Sequence, residues 1–127
     1  MQQRKLLLVE RTPDEALAKR LRSLGFDVWN LSLHPGLLQA AVEWGPEIAI
    51  FDLGDVSELP PAVENVRSAL RGKALTLSLS PAQGNTGFDV CFADRHDTAK
   101  LESVLESFEA ALSAKAPGLF DRLTPLN

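Results

Sequence analysis

Five short apolar runs, Leu6–Val9, Phe26–Leu31, Ile48–Leu53, Leu75–Leu79 and Val90–Ala93, recur along the chain with longer amphipathic stretches between most of them. The runs are mostly continuous rather than alternating, the pattern of strands covered on both faces; alternation with helices predicts an α/β fold around a parallel sheet. Thr12 as cap, Pro13 at the first helical position and Asp14 and Glu15 in the first turn predict a helix with Leu17, Leu21 and Leu24 on one face, stopping at Gly25. Pro35 opens a second helix with a Leu38, Ala41, Val42 stripe, ended by Gly45-Pro46. A third starts at Pro60-Pro61, turns Val63, Val66 and Leu70 inward and closes at Gly72. The last begins at Asp97 or Thr98 and carries Leu101, Val104, Leu105, Phe108 and Leu112 at helical spacing.

The break in this rhythm lies between the fourth and fifth runs. Only the seven residues Pro81 to Gly87 fall there, whereas a parallel crossover usually takes a dozen or more and contains a helix. Seven extended residues reach about 23 Å, enough to return along a short strand but not to build a helix on the way. Two glycines and an asparagine in the segment also oppose helix. The expectation is therefore a five-stranded, doubly wound parallel sheet of flavodoxin-like type, order 2-1-3-4-5, with a short loop in place of the helix between strands four and five.

Composition narrows the function classes. A chain of 127 residues with 45% hydrophobic and 24% charged residues and a mean hydropathy of -0.03 fits one globular domain and excludes extensive disorder. Residues 1–115 are expected to form that domain, and 116–127 a C-terminal tail. A net charge of -4 argues against nucleic acid and anionic membrane as partners. One cysteine closes no internal disulfide, and no apolar stretch is long enough for a span or a signal-peptide core, so the expected compartment is the cytoplasm.

Several stretches, in order, resemble the receiver domain of two-component response regulators (CheY-like), over residues 5 to about 113. They are Leu-Leu-Leu-Val-Glu-Arg-Thr-Pro at 6–13, Gly-Phe-Asp-Val at 25–28, Pro-Glu-Ile-Ala-Ile-Phe-Asp at 46–52, Ser80 at the end of strand four, and Gly-Phe-Asp-Val-Cys-Phe-Ala-Asp-Arg at 87–95. The resemblance implies that Asp52 stands at the phosphoacceptor position, Glu10 and Arg11 at the acid pair that holds Mg²⁺, Ser80 at the hydroxyl that answers phosphorylation, Cys91 at the aromatic switch position and Asp94 at the lysine.

The departures bear on chemistry. Metal-assisted phosphoryl transfer needs carboxylates for the cation and positive charge for the phosphoryl oxygens. Arg11 removes half of the acid pair, and Asp94 sets an anion where a cation would act. At about 4 Å and an effective dielectric of 20 such a like-charge contact costs about 4 kcal/mol. Cys91 has no ring to swing. Glu10, Arg11, Asp52, Ser80 and Asp94 thus read as a degenerate phosphorylation pocket, with Asp52 satisfied by Arg11 or by backbone N–H groups. The expected function is non-enzymatic: a pseudo-receiver in a signalling pathway, acting through a protein partner or a second copy of itself, with no catalytic residue and no cofactor. Two alternatives stand beside it, an active receiver phosphorylated on Asp52 with Mg²⁺ held by Glu10 and Asp52, and a flavodoxin-like small-molecule binder.

Other chemistry-bearing residues read as structural. Asp94-Arg95-His96-Asp97 is expected to be a loop whose Asp97 caps the last helix, His34 a surface loop residue, and Trp29 and Trp44 core packing or partner anchors. The expected partner face combines the Pro81–Gly87 loop, with Gln83 and Asn85, and the outer side of the last helix, with Glu102 and Glu106. The apolar residues of the tail, Leu119, Phe120, Leu123 and Leu126, are expected to dock on the domain.

Overall fold

A computed structural model describes residues 4–11, 15–32, 35–53, 61–79, 88–92 and 97–113. The strands are β1 (Lys5–Glu10), β2 (Asp27–Ser32), β3 (Ile48–Asp52), β4 (Leu75–Ser78) and β5 (Val90–Cys91); the helices are α1 (Ala16–Ser23), α2 (Pro35–Trp44), α3 (Pro61–Leu70) and α4 (Thr98–Ser113). The main sheet is parallel with the order β2-β1-β3-β4, and the two residues of β5 pair in parallel with the outer edge of β4. The fifth run thus narrows from four residues to two, Leu77 opposite Val90 and Ser78 opposite Cys91.

Strand alternation divides the core into two layers. Leu6, Leu8, Val28, Ile48, Ile50, Leu75, Leu77, Leu79 and Phe92 pack with Ala18 and Leu21 of α1 and with Leu101, Leu105 and Phe108 of α4. On the opposite face Leu7, Val9, Leu31, Ala49 and Phe51 meet Leu38 and Ala41 of α2 and Val63, Val66 and Leu70 of α3. Helices on both faces of a parallel sheet make this a doubly wound, flavodoxin-like α/β fold.

The predicted stripes of α2 and α3 are the buried ones, and Gly45 and Gly72 follow them with φ of 76° and 77°, a conformation that costs glycine little. In α4, Asp97 Oδ1 accepts from the Lys100 N–H at 3.1 Å, which fixes Asp97 as the cap.

The start of α1 departs from expectation. The helix begins at Ala16, and Glu15, expected in its first turn, has a left-handed φ of 67°. Thr12, Pro13 and Asp14 lie outside the described residues. The inward stripe also shifts: Ala18 and Leu21 are buried, Leu17 packs at the margin, and Leu24 is 45% exposed. The helix ends at Ser23, one residue before Leu24, which sits in the turn that leads through Gly25 to β2.

β4 is covered differently on its two faces. Its leucines enter the α1/α4 layer, while Thr76 and Ser78, 3% and 2% exposed, lie on the α2/α3 side. Phe88 joins that second layer, its ring 5.4 Å from the ring of Phe51 on β3. Because β4 lies between β3 and β5, this contact crosses β4, and small side chains at Thr76 and Ser78 leave room for it.

A second device holds β5. Asp89 Oδ2 accepts from the Thr76 N–H at 2.9 Å and from the Thr76 hydroxyl at 3.2 Å, while the Asp89 N–H donates to Thr76 O at 3.0 Å. A two-residue strand would leave the Thr76 N–H unpaired on a buried edge, and the Asp89 carboxylate supplies the missing acceptor. The Pro81–Gly87 loop and residues 114–127, which include the expected tail, lie outside the described residues.

Candidate site at the carboxyl ends of the strands

In parallel strands, residues in register point to the same face. The register of β1 and β3 pairs Glu10 with Asp52, each the last residue of its strand, and the register of β1 and β2 pairs Glu10 with Ser32. Glu10 and Asp52 continue the rows Leu6, Leu8 and Ile48, Ile50, so both carboxylates face the α1/α4 layer. They are 3% and 5% exposed. Adjacent strands are about 4.8 Å apart, so two carboxylates of the same parity on neighbouring strand ends are within reach of one another.

Arg11 does not join them. Its N–H donates to Asp52 O at 3.3 Å and its Nε to Leu53 O at 3.0 Å, and the residue is exposed. The expected charge pairing of Arg11 with the Asp52 side chain is therefore corrected: the guanidinium holds a backbone carbonyl beyond the end of β3, and among the described residues no ion pair joins Arg11 to a carboxylate. The physical reason is parity. Arg11 follows Glu10 by one residue, so its side chain leaves on the other side of the strand from Glu10 and Asp52.

The site therefore gathers Glu10, Asp52 and the Arg11 backbone, with Ser32 beside them. Ser80, Asp94, Gln83 and Asn85 lie outside the described residues, as do His34, Arg95 and His96; Cys91 contributes its backbone to β5, and its side chain lies outside the described set. Oxygen-preferring Mg²⁺ takes near-octahedral coordination, commonly with one or two carboxylates and water. Two carboxylates meet part of that demand, but a guanidinium stands at the third position that the resemblance implies, and no group of three or more His, Cys, Asp or Glu among the described residues is arranged to hold a metal ion. Among the described residues the donor set at this end of the sheet is therefore two carboxylates.

The last helix carries ion pairs to the rest of the domain. Glu102 is half-buried and receives Nε of Arg20 at 3.1 Å in an ion pair that ties α4 to α1. Glu109 pairs with Arg4 at 3.2 Å, and Arg4 reaches Glu47 at the same distance. Glu106 is exposed. The outward face of α4 thus keeps Glu106, while Glu102 turns toward its own domain. Sequence reading also missed Asp89, whose signal is an acidic residue directly ahead of a strand too short to satisfy its neighbour.

The two tryptophans occupy the other face near the β2 edge, their rings 5.4 Å apart and nearly perpendicular. Lys5 Nζ donates to Trp44 O at 3.1 Å and lies 5.5 Å from the Trp44 ring centroid, so the cluster ties the end of α2 to the start of β1. No helix among the described residues is long and apolar enough to cross a membrane. Comparison with protein-family models, with curated proteins and with solved structures finds no match.

Proposed function

We propose that the chain is a receiver-like regulatory module that works by binding another protein and has lost the phosphorylation chemistry of the fold it resembles. The observation that carries this reading is the position of Arg11: a guanidinium stands next to Glu10 where a second acid is needed, and it is committed to the Leu53 carbonyl. A residue anchored in this way contributes positive charge to the rim and no ligand to a cation. Without the cation, the negative phosphoryl group of a small donor meets two buried carboxylates of like charge.

One observation favours the alternative of an active receiver: Glu10 and Asp52 are adjacent in register at the strand ends, the geometry that a shared cation uses. The two readings are separated by incubating the protein with Mg²⁺ and a small-molecule phosphodonor and measuring intact mass. The pseudo-receiver reading expects no adduct on the wild type. A phosphoryl adduct that disappears in Asp52→Asn overturns it. A coloured or fluorescent small molecule carried through purification instead supports the third reading, a cofactor binder.

A further inference from the structure

β2 is an edge strand: among the described residues it pairs with β1 alone. We infer that two copies of this chain associate through their β2 edges, antiparallel about a two-fold axis at Asn30, to form one continuous sheet. The proposal is independent of the site at the strand ends.

The parity of β2 selects the register. The Asp27 N–H donates inward to Arg4 O at 2.9 Å, so residues 27, 29 and 31 face β1 and residues 28, 30 and 32 present their backbone groups outward. Arg22 marks the same parity, because its NH2 reaches Val28 O from outside at 3.3 Å. In an antiparallel pair the outward residues oppose one another as hydrogen-bonded pairs, so a two-fold at Asn30 sets Asn30 against Asn30 of the second copy, Val28 against Ser32, and Trp29 against Leu31. Directly opposed residues share a face.

Asn30 is the reason for choosing a second copy as the occupant. Both polar atoms of its amide, Nδ2 and Oδ1, are buried without a hydrogen-bond partner, a state that costs free energy in proportion to the lost hydration. An amide carries a donor and an acceptor and is complementary to itself. Rotation of the side chain toward the edge lets the two Asn30 amides on the axis satisfy one another, and the backbone of each Asn30 gains the partners that an added strand provides. On the opposite face, half-buried Trp29 meets an apolar residue of the other copy. β2 itself contains no Lys and no Pro, and its one charge, Asp27, is at its end. Among the described residues the one side chain holding an outward backbone group is Arg22, half exposed, which gives up Val28 O to the Ser32 N–H of the second copy. A six-residue strand is about 20 Å long. With the flanks of α1 and α2 such an edge buries on the order of 1,000 Å² in total, the lower limit for a specific interface, so association is weak and concentration-dependent.

Sedimentation velocity of the full chain over a wide range of concentrations tests this. The wild type is expected to shift from monomer to dimer, and Trp emission to move to the blue as Trp29 is covered. Asn30→Asp and Asn30→Lys each set like charges on the axis and raise the dissociation constant by about tenfold or more. Mixing the two variants restores association, because opposite charges then meet, and this rescue shows that each variant is folded. Asn30→Pro removes the outward N–H while sparing the bonds to β1, and it too should weaken the dimer. A wild type that stays monomeric throughout overturns the proposal, as does a dimer that survives both charged variants, which would put a different surface at the interface.

Discussion

Replacing Asp89 with alanine removes the clip that joins the short β5 to β4. Two hydrogen bonds to its carboxylate disappear, from the Thr76 N–H at 2.9 Å and the Thr76 hydroxyl at 3.2 Å, and a buried backbone donor loses its acceptor. Hydrogen bonds to a charged group contribute about 1.5–3 kcal/mol, and because Asp89 itself is exposed the loss belongs at the lower end, about 1.5–2 kcal/mol. An unfolding entropy of about 2.1 cal/mol/K per residue gives about 270 cal/mol/K for 127 residues, so Tm falls by about 6 °C. Thermal and urea denaturation followed by circular dichroism and Trp emission read the change. Asp89→Asn keeps an acceptor but not the charge and should lose about half as much. Thr76→Val removes the hydroxyl only, and the double variant should reveal a coupling of about 0.5–1 kcal/mol, because both changes delete the same bond. If Asp89→Ala lies within about 0.5 kcal/mol of the wild type, or the two changes are strictly additive, the carboxylate does not extend the sheet and the reasoning fails.

Other perturbations have definite expectations. Phe108→Ala opens a cavity in the α1/α4 layer, where the ring is 2% exposed, and should cost about 3–5 kcal/mol by urea denaturation. The hydrogen bond from Arg67, aided by its charge against a weaker opposing effect of burial, holds the Glu64 carboxyl below its ordinary value of 4.5. A lowered folded pKa means stability that is present above the unfolded value and is lost as pH falls through the folded one. Glu64→Gln should therefore be slightly less stable than the wild type at pH 7, by about 0.3–0.5 kcal/mol for an i,i+3 pair whose carboxylate is 45% exposed, with the difference gone below the folded pKa in melts that extend to acid. Mg²⁺ should leave Tm unchanged, since a cation bound only to the folded state would raise it by mass action; a rise abolished by Asp52→Asn would count against the incomplete donor set.

The layers were legible because burial has a period. The stripes Leu38, Ala41 and Val63, Val66, Leu70 could be read at helical spacing, and the buried face of α4 follows from Leu101, Leu105 and Phe108. Parity also fixes Glu10 and Asp52: each ends its strand, two residues beyond an inward Leu8 or Ile50. The start of α1 was not legible in the same way. Thr12-Pro13-Asp14-Glu15 satisfies every local rule for a helix start, yet Glu15 adopts φ of 67° and the helix begins after it. Local propensity at a helix end is worth about 1 kcal/mol, a weak preference that tertiary packing of the rest of the helix can outweigh.

The fate of the charged groups at the site shows why composition alone misjudges such a pocket. From sequence, Arg11 beside two carboxylates reads as their counterion, because opposite charges close in sequence attract. Within a strand, however, neighbours in sequence point to opposite faces, so the nearest residue along the chain is the one least able to reach. Arg11 accordingly finds the Leu53 carbonyl, and the carboxylates remain together on the inner face. The same rule sends Glu102 of α4 to Arg20 rather than outward with Glu106, since a helix turns by 100° at each residue and four residues carry Glu106 40° past Glu102, from the α1 flank toward solvent. Function in this fold is thus set by parity as much as by residue type. A basic residue moved from position 11 to position 10 would face Asp52 directly, whereas at position 11 it shapes only the rim beyond the end of β3.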